Sequence, residues 1–398
     1  MPRFSPVRPS CASRDETTGL RKDTHTMEVN HSKSRPSMKD VAMLAGVSHQ
    51  TVSRVINHSP DVSAQTRARV RKAIQQLGYR PSNSARALAS SRSRIIGVIM
   101  GGDQFHGAVL TLQAIEAAAR ARGLFVTVSM IRKAMCSQDE FNRICEGFDE
   151  LNVDAYIMMV PTDVLFLAAC RAPVTKPRIL LTATHGGTSV GTGLNMIHDG
   201  DGHDRTAVVG VDQWGAMDRV ISMIAGYGHR HALYFTGPSE WRDATTRLDA
   251  WRELSAQYAI ASRIVRCRSW QASEAYARMN HVLEYIGSSG GALPTVIVAA
   301  SDAQAIGVAR ALREHDIRIP QDVSLVGFDD IDVAGDVVPP LTTIRPDYRQ
   351  LGVAAMREAL FLLGEGPEPG YPVSTYGVGQ VEAKVVKRAS LAGVSLGR

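Results

Sequence analysis

DVAMLAGVSHQTVSRVIN, residues 40–57, carries short apolar residues at helical spacing on either side of a glycine, and its reading decides what kind of molecule this is. Val41, Leu44, Val47, Val52 and Val55 predict one buried seam, with Ala45-Gly46-Val47 as a tight turn between two helices. Upstream, Ser37 and Asp40 have the spacing of a capping box, in which each side chain satisfies a free backbone N–H of the other, so a helix should run from about Met38 to Leu44. Gly46 ends it. Ser48 caps a second helix reaching about Ile56, and Ser63 a third over Ala64 to Leu77, where Val70, Ile74 and Leu77 share a face before Gly78 stops it. This is a helix-turn-helix arrangement. Its second helix leaves Ser48, His49, Gln50, Thr51 and Arg54 on the face away from the seam. In a DNA major groove a glutamine pairs bidentately with adenine and an arginine with guanine, each contact discriminating by ~1–3 kcal/mol. His49, Gln50 and Arg54 are therefore the base-reading candidates, with Ser48 and Thr51 beside them. An ordinary solvated helix face is the plainer alternative, and the turn, the seam and the basic surroundings argue against it.

Charge separates along the chain in the same sense. Residues up to Arg94 hold 17 Lys and Arg against 6 Asp and Glu, a net +11, whereas the rest holds 28 against 33, a net −5. A basic head on a mildly acidic body is the footprint of a polyanion bound through one end, and double-stranded DNA is the polyanion expected. With 44% hydrophobic and 21% charged residues the 398-residue chain has an ordinary globular composition. No apolar run reaches the ~18–20 residues of a membrane span. Cys11, Cys136, Cys145, Cys170 and Cys267 are odd in number and show no C-x-x-C pair, which predicts reduced thiols in a cytoplasmic protein. Residues 1–36 read as a disordered basic arm without the apolar core of a secretory signal, and Met27 offers an alternative start.

The domains expected are that arm, a helix-turn-helix domain over residues 37–80, a hinge helix and linker over 81–93, a two-lobed body over 94–390 and a flexible tail over 391–398. The linker YRPSNSARALASSRSR, 79–94, is small, polar and basic except for Leu88, and a helix of about eight residues there is marginal alone because nucleation is costly. Beyond Arg94 the rhythm changes. IIGVIM (95–100), FVTVSM (125–130), AYIMMV (155–160), AVVGV (207–211), ALYF (232–235), TVIVAA (295–300) and VSLVGF (323–328) read as buried parallel strands between amphipathic helices. One such helix places Tyr276, Met279, Leu283 and Ile286 on a single face. About 300 residues of these units exceed one sheet, so the fold class expected is α/β, with two doubly wound parallel lobes and a cleft between them behind the small all-α head.

From residue 37 to about 388 the chain resembles the lactose repressor family of bacterial transcription regulators. The resemblance rests on DVAMLAGVSHQTVSRVIN, VSAQTRARVRKAIQQLGYRP, ARALA, GHRHALYFTGP, IPQDVSLVGFDD and PPLTTIRPDY, which follow one another in the family's order. Ser48-His49-Gln50 looks like the Ser-Tyr-Gln of the repressor that gives the family its name, with His49 in place of tyrosine. The resemblance implies a homodimer on a pseudo-palindromic operator, whose hinge helices over residues 82–89 form on DNA and wedge Leu88, beside Ala85, into the minor groove, while Arg80, Arg86 and Arg92 touch phosphates. An apolar wedge unstacks a base step and bends the duplex, which accounts physically for one leucine in a polar linker. It also implies a small sugar-like effector between the lobes. Arg247 in TTRLDAW, Asp329 in GFDD and Trp270 in RSWQ look like the family's two hydroxyl-binding residues and a sugar-stacking tryptophan, and Phe105 and His106 line the same cleft. Ser301 stands where the family has asparagine, Thr182 where the namesake has aspartate, and Pro346 where the family has glutamine. Those departures predict a rewired pocket.

The function expected is a repressor of carbohydrate-use genes released by a saccharide inducer, such as a galactoside. No catalysis, cofactor, metal or membrane partner is expected. Two other readings were open. A solute-binding receptor of the periplasmic type shares the two-lobed body but would need export. GTSVG (187–191) matches a nucleophile-elbow pattern at Ser189, yet no helix is predicted after it, and HDGDGHD (198–204) lacks the spacing of a calcium loop. Both lie in the Gly-rich stretch 184–205, which predicts a mobile insertion near the cleft. The end KRASLAGVSLGR leaves no room for the leucine heptads of a tetramer, so a dimer is expected.

Overall fold

A computed structural model describes residues 36–56, 59–80, 92–102, 106–131, 136–183, 205–374 and 377–394. The hinge residues Ala85, Arg86 and Leu88, the cleft candidate Phe105, Ser189, the 198–204 loop and nearly all of the N-terminal arm lie outside them. The chain divides between Ser82 and Asn83 into two compact units.

The first unit is built as its capping residues dictate. Helix α1 (Met38–Ala45) starts at Ser37, whose hydroxyl accepts the Asp40 N–H while its own N–H donates to the Asp40 carboxylate at 2.7 Å, and it ends at Gly46 with φ 61°. Losing such a cap typically costs ~1 kcal/mol. Helix α2 (His49–Ile56) and helix α3 (Ala64–Leu77) follow, α3 capped by Ser63 and closed by Gly78 in the left-handed conformation. Val41, Val52, Val55 and Val70 form the core, joined by Ala42, Ala45 and Tyr79. Leu44 departs from the seam predicted for it: it is 51% exposed. The inward face of α1 is Val41, Ala42 and Ala45, and at 100° per residue Leu44 lies roughly 100° round the helix from its centre.

The second unit contains two six-stranded sheets. The first has β1 (Ile95–Gly101), β2 (Phe125–Ile131), β3 (Ala155–Met159), β4 (Arg178–Leu181), β5 (Thr206–Val211) and β11 (Gly379–Val381) in the order β11-β5-β4-β3-β1-β2, all parallel. The second has β6 (His231–Phe235), β7 (Ala261–Val265), β8 (Val296–Ala299), β9 (Ser324–Phe328), β10 (Thr342–Pro346) and β12 (Ala383–Val386) in the order β12-β10-β9-β8-β6-β7, with only β12 antiparallel. Between strands run α4 (His106–Ala121), α5 (Gln138–Glu150), α6 (Asp163–Arg171), α7 (Gln213–Gly226), α8 (Arg242–Gln257), α9 (Ala272–Ser289), α10 (Asp302–Glu314) and α11 (Tyr348–Leu362). The chain passes between lobes after β5, after β10 and between β11 and β12. There the crossing strands hold one another, Asp212 N–H donating to the Val381 carbonyl and Asp347 N–H to that of Glu382.

All seven strands quoted from the sequence are present. FVTVSM is not a buried one, however: β2 ends its sheet and leaves Phe125, Val128 and Met130 exposed, because a terminal strand is sheltered on one side only. The predicted face of α9 is inward, with Met279, Leu283 and Ile286 buried and Tyr276 packed beside them. The tail is also corrected. Leu391 is 5% exposed, the Ala392 N–H donates to Ser324 Oγ at 3.1 Å, and the Val394 N–H to the Tyr227 carbonyl, so residues 391–394 are part of the second lobe.

Candidate functional site

On the head, the core valines Val52 and Val55 point α2's opposite side outward. His49, Gln50 and Arg54 are exposed there, and no described residue takes up the donors of Gln50. Ser48 and Thr51 are arranged differently from free contacts: Ser48 Oγ accepts the Thr51 N–H at 3.2 Å and hydrogen-bonds the Thr51 hydroxyl at 2.9 Å, so this pair closes the start of α2. Arg67 donates to the Ser59 and Val62 carbonyls and so pins the connection before α3. Arg80 is exposed at the end of the described head. Arg92 is placed otherwise than the sequence reading had it. Its guanidinium pairs with Glu365 and donates to the Leu363 carbonyl at 2.7 Å, which gives it partners in the second unit where a phosphate contact was expected.

In the second unit the carboxyl ends of both sheets face a cavity of about 440 Å³. This is where an open parallel sheet leaves its binding crevice, outside the strand ends at which the chain order reverses. His106 enters from the start of α4, Arg247 from α8, Trp270 from the turn after β7, Ser301 from the end of β8 and Asp329 from the end of β9, so the structure brings the five described cleft candidates together. Arg247 is 3% exposed. Its Nε donates to Gln213 Oε1 at 2.8 Å, another N–H to the Ala300 carbonyl, and its guanidinium lies 3.4 Å from the centre of the Phe328 ring. Asp329 accepts from the Tyr348 hydroxyl at 2.8 Å. Its backbone φ of 110° is unusual for a residue with a side chain, and strain of this kind is maintained where a side chain must be aimed. Ser301 does less than its place suggests, since its hydroxyl caps α10 by accepting the Gln304 N–H. Trp270 seats against bare backbone. A Cβ at Gly237 would come within 2.2 Å of the indole.

Three further residues belong to the site. Asp243 lies one turn before Arg247 on the same face of α8, a spacing visible in the sequence. Burial pushes its carboxyl up, against the opposing pull of the Arg247 guanidinium, and it accepts no hydrogen bond from a described residue. Burial likewise raises the carboxyl of Asp329. Trp241 meets Trp270 edge to face with ring centres 5.9 Å apart. Tyr348, from the other lobe, supplies the hydroxyl on Asp329, and no local pattern announced it. Thr182, in the namesake aspartate's place, accepts a hydrogen bond from Arg242 Nε at 2.8 Å. That guanidinium is 3% exposed, pairs with Asp163 and lies 4.2 Å over the Phe166 ring. An arginine of one lobe is thus hydrogen-bonded to a threonine of the other.

Residues 37–82 match bacterial regulatory proteins of the lacI family, and residues 221–390 match the periplasmic binding protein-like domain. The lactose operon repressor of Escherichia coli (strain K12) is 30% identical over 333 residues, which are 83% of this chain and 85% of that protein. The chain belongs to the lacI family. Like other lacI-family proteins it is a DNA-binding transcriptional regulator, and a receptor lacking such a head is not favoured. The regulator GalR of E. coli (strain K12) is 29% identical over 342 residues, 84% of this chain and 91% of that one. CelR of Thermobifida fusca is 27% identical over 348 residues, covering 85% and 95%. Among solved structures, the lac repressor dimer bound to operator and the anti-inducer ONPF superposes with a TM-score of 0.75 at 26% identity, covering 90% of this chain and all of that one. These lacI-family relatives are regulators and not enzymes, and regulators of this family work in the cytoplasm with the DNA they bind. No helix among the described residues is long and apolar enough to cross a membrane.

Proposed function

We propose that this protein is a homodimeric repressor of carbohydrate-use genes, holding a pseudo-palindromic operator and released from it by a saccharide inducer. The observation that carries the saccharide is the meeting of Arg247, Asp329 and Trp270 in one cavity, which joins charged partners for vicinal hydroxyls to an aromatic face for a ring's C–H side. Relatives named for lactose and ribose operons support it. In this reading His49, Gln50 and Arg54 contact base edges, Ser48 and Thr51 support them, Arg80 and Arg86 meet phosphates, and Leu88 with Ala85 enters the minor groove. The protein catalyses nothing. The dimer is supported by the lac repressor dimer it superposes on and by the exposed apolar side chains of β2, which need cover.

A ligand can shift operator affinity only by its differential affinity for two lobe arrangements, commonly ~1–3 kcal/mol. The test is selection from a random duplex pool at moderate salt, followed by titration of the selected site with saccharides. An enriched two-half-site sequence, weakened about 5–150-fold by at least one sugar, is expected. Failure to enrich any sequence would remove the regulator's operator. Enrichment without a response to any sugar would remove the saccharide.

A further inference from the structure

The lobes touch again away from the strands that join them. Trp241 and Asp243, on either side of Arg242, line the cavity, while Arg242 itself reaches the first lobe. Its backbone N–H donates to the Pro161 carbonyl at 2.9 Å, and the adjacent Trp241 forms an antiparallel bridge with Thr162. Its guanidinium has three first-lobe partners: the Asp163 carboxylate, the Thr182 hydroxyl at 2.8 Å and the face of Phe166 at 4.2 Å. Local sequence sets these partners in place. Thr162 caps α6 by accepting the Leu165 N–H, which holds Asp163 at the helix start, where the dipole favours a carboxylate. A Cβ on Gly102, whose φ is 88°, would stand 3.0 Å from the Trp241 ring, so the close approach there depends on glycine. In the second sheet β10 and β12, which adjoin the crossings, stand three and four places from β6, roughly 14–19 Å at ~4.8 Å per strand. A modest rotation of one lobe about the crossings therefore separates all of these partners.

Resting on the reading of the cavity as the effector site, we infer that Arg242 is a latch between the lobes, which holds the cleft closed by protein contacts alone and gates entry to the cavity. Burial makes the latch two-state. Arg242 is 3% exposed, so a guanidinium deprived of Asp163 between closed lobes would be a buried, unpaired cation, which is costly. With the lobes apart, water takes over its donors. Asp163 keeps 48% of its side chain exposed, so solvent reaches the pair and allows it to break and re-form. The bonds are charge-assisted and stronger than neutral ones, which suits a contact that must hold a cleft shut. Arg242, Asp163 and Phe166 lie outside the cavity lining, so the latch acts in the same way whatever ligand the cavity takes. A ligand that enters must wait for it to open, as at the lids that gate other binding sites.

The experiment is hydrogen exchange read by mass spectrometry on the full-length protein, paired with acrylamide quenching of tryptophan fluorescence. Acrylamide is a small neutral solute, and Trp241 and Trp270 line the cavity, so quenching reads access to it. It is measured in a Trp214→Phe background, where the remaining Trp251 is wholly buried. Arg242→Met should speed exchange at least tenfold in peptides covering 160–166 and 238–245, leave β3 and β6 unchanged, and raise the quenching constant at least twofold. Asp163→Asn changes a half-exposed side chain and carries the test should Arg242→Met fail to fold; it should speed the same peptides at least threefold. Because the two residues act as one bond, the double variant should match Arg242→Met within twofold. Unchanged exchange in the folded variants, a rise shared equally by β3 and β6, or effects that multiply in the double variant overturn the latch. Faster exchange without greater quenching overturns the gate. Each of these results leaves the saccharide reading standing, since neither measurement uses a sugar, and that reading falls only by the titration given for it.

Discussion

Arg54 is the residue on which sequence reading by this protein should be most visible. It is exposed in the last turn of α2, where a cation is favoured by the helix dipole, and it can reach a guanine edge. Arg54→Ala is expected to weaken the selected operator by roughly 5–150-fold, corresponding to ~1–3 kcal/mol, and a random duplex far less. Fluorescence anisotropy on both duplexes checks this, and equal losses would make Arg54 a phosphate contact. Tyr234 and Trp251 show the converse case of residues that only pack. They stack at 4.7 Å in the core, both fully buried, and neither the Tyr234 hydroxyl nor Trp251 Nε1 has a hydrogen-bond partner among the described residues. Tyr234→Phe should therefore be neutral or stabilising, because it removes an unpaired buried hydroxyl, whereas Trp251→Ala should cost ~3–5 kcal/mol. Urea unfolding of the two variants separates these outcomes.

At the scale of elements, Asp302 at the start of α10 joins three segments. Its carboxylate accepts from the Thr343 hydroxyl on β10 at 2.6 Å and from the Ile331 N–H after β9 at 2.9 Å. It is wholly buried, and burial, opposed by the Thr343 bond and reinforced by Asp329, raises it from 3.8 to about 7. The folded state then binds a proton that the unfolded chain has already released. Its contribution to stability is full below pH 3.8 and is lost as the pH rises through about 7. Thermal unfolding between pH 5 and 8 should show this decline, and Asp302→Asn should flatten it. A slope unchanged by the substitution would place the titration elsewhere.

For the whole molecule, exposed apolar side chains appear on both lobes, with Val128 and Met130 on β2 of the first and Val338, 91% exposed, beyond β9 on the second. Patches of this kind on a family known as operator-bound dimers are natural subunit contacts. Val128→Asp combined with Val338→Asp is expected to give a monomer in sedimentation velocity and to weaken operator binding, since two half-sites then no longer share one ligand. An unchanged dimer would move the interface to other surfaces. The charge contrast between head and body adds that operator affinity should fall steeply with salt.

The head was legible because its instructions are local. Ser37 with Asp40, Gly46, Ser63 and Gly78 act within one or two turns of themselves, so the three helices and their ends could be read from spacing alone. Even there, the exposure of Leu44 depended on which of α1's faces the other helices cover. Arg247, Asp329 and Trp270 were found through motifs, and Asp243 was within reach of the four-residue rhythm of α8. Trp241, Tyr348 and the Arg242–Thr182 contact were not, because each joins lobes whose residues lie far apart along the chain. The three helices of the head and seven of the twelve described strands follow from sequence by itself, since they show in capping residues and side-chain periodicity, whereas β4, β7, β10, β11 and β12 are short or edge strands that no run of apolar residues announced. The partners of Asp329 and Arg242 in the cleft were decided only by tertiary structure, because the Tyr348 hydroxyl and the Thr182 hydroxyl reach them from the other lobe.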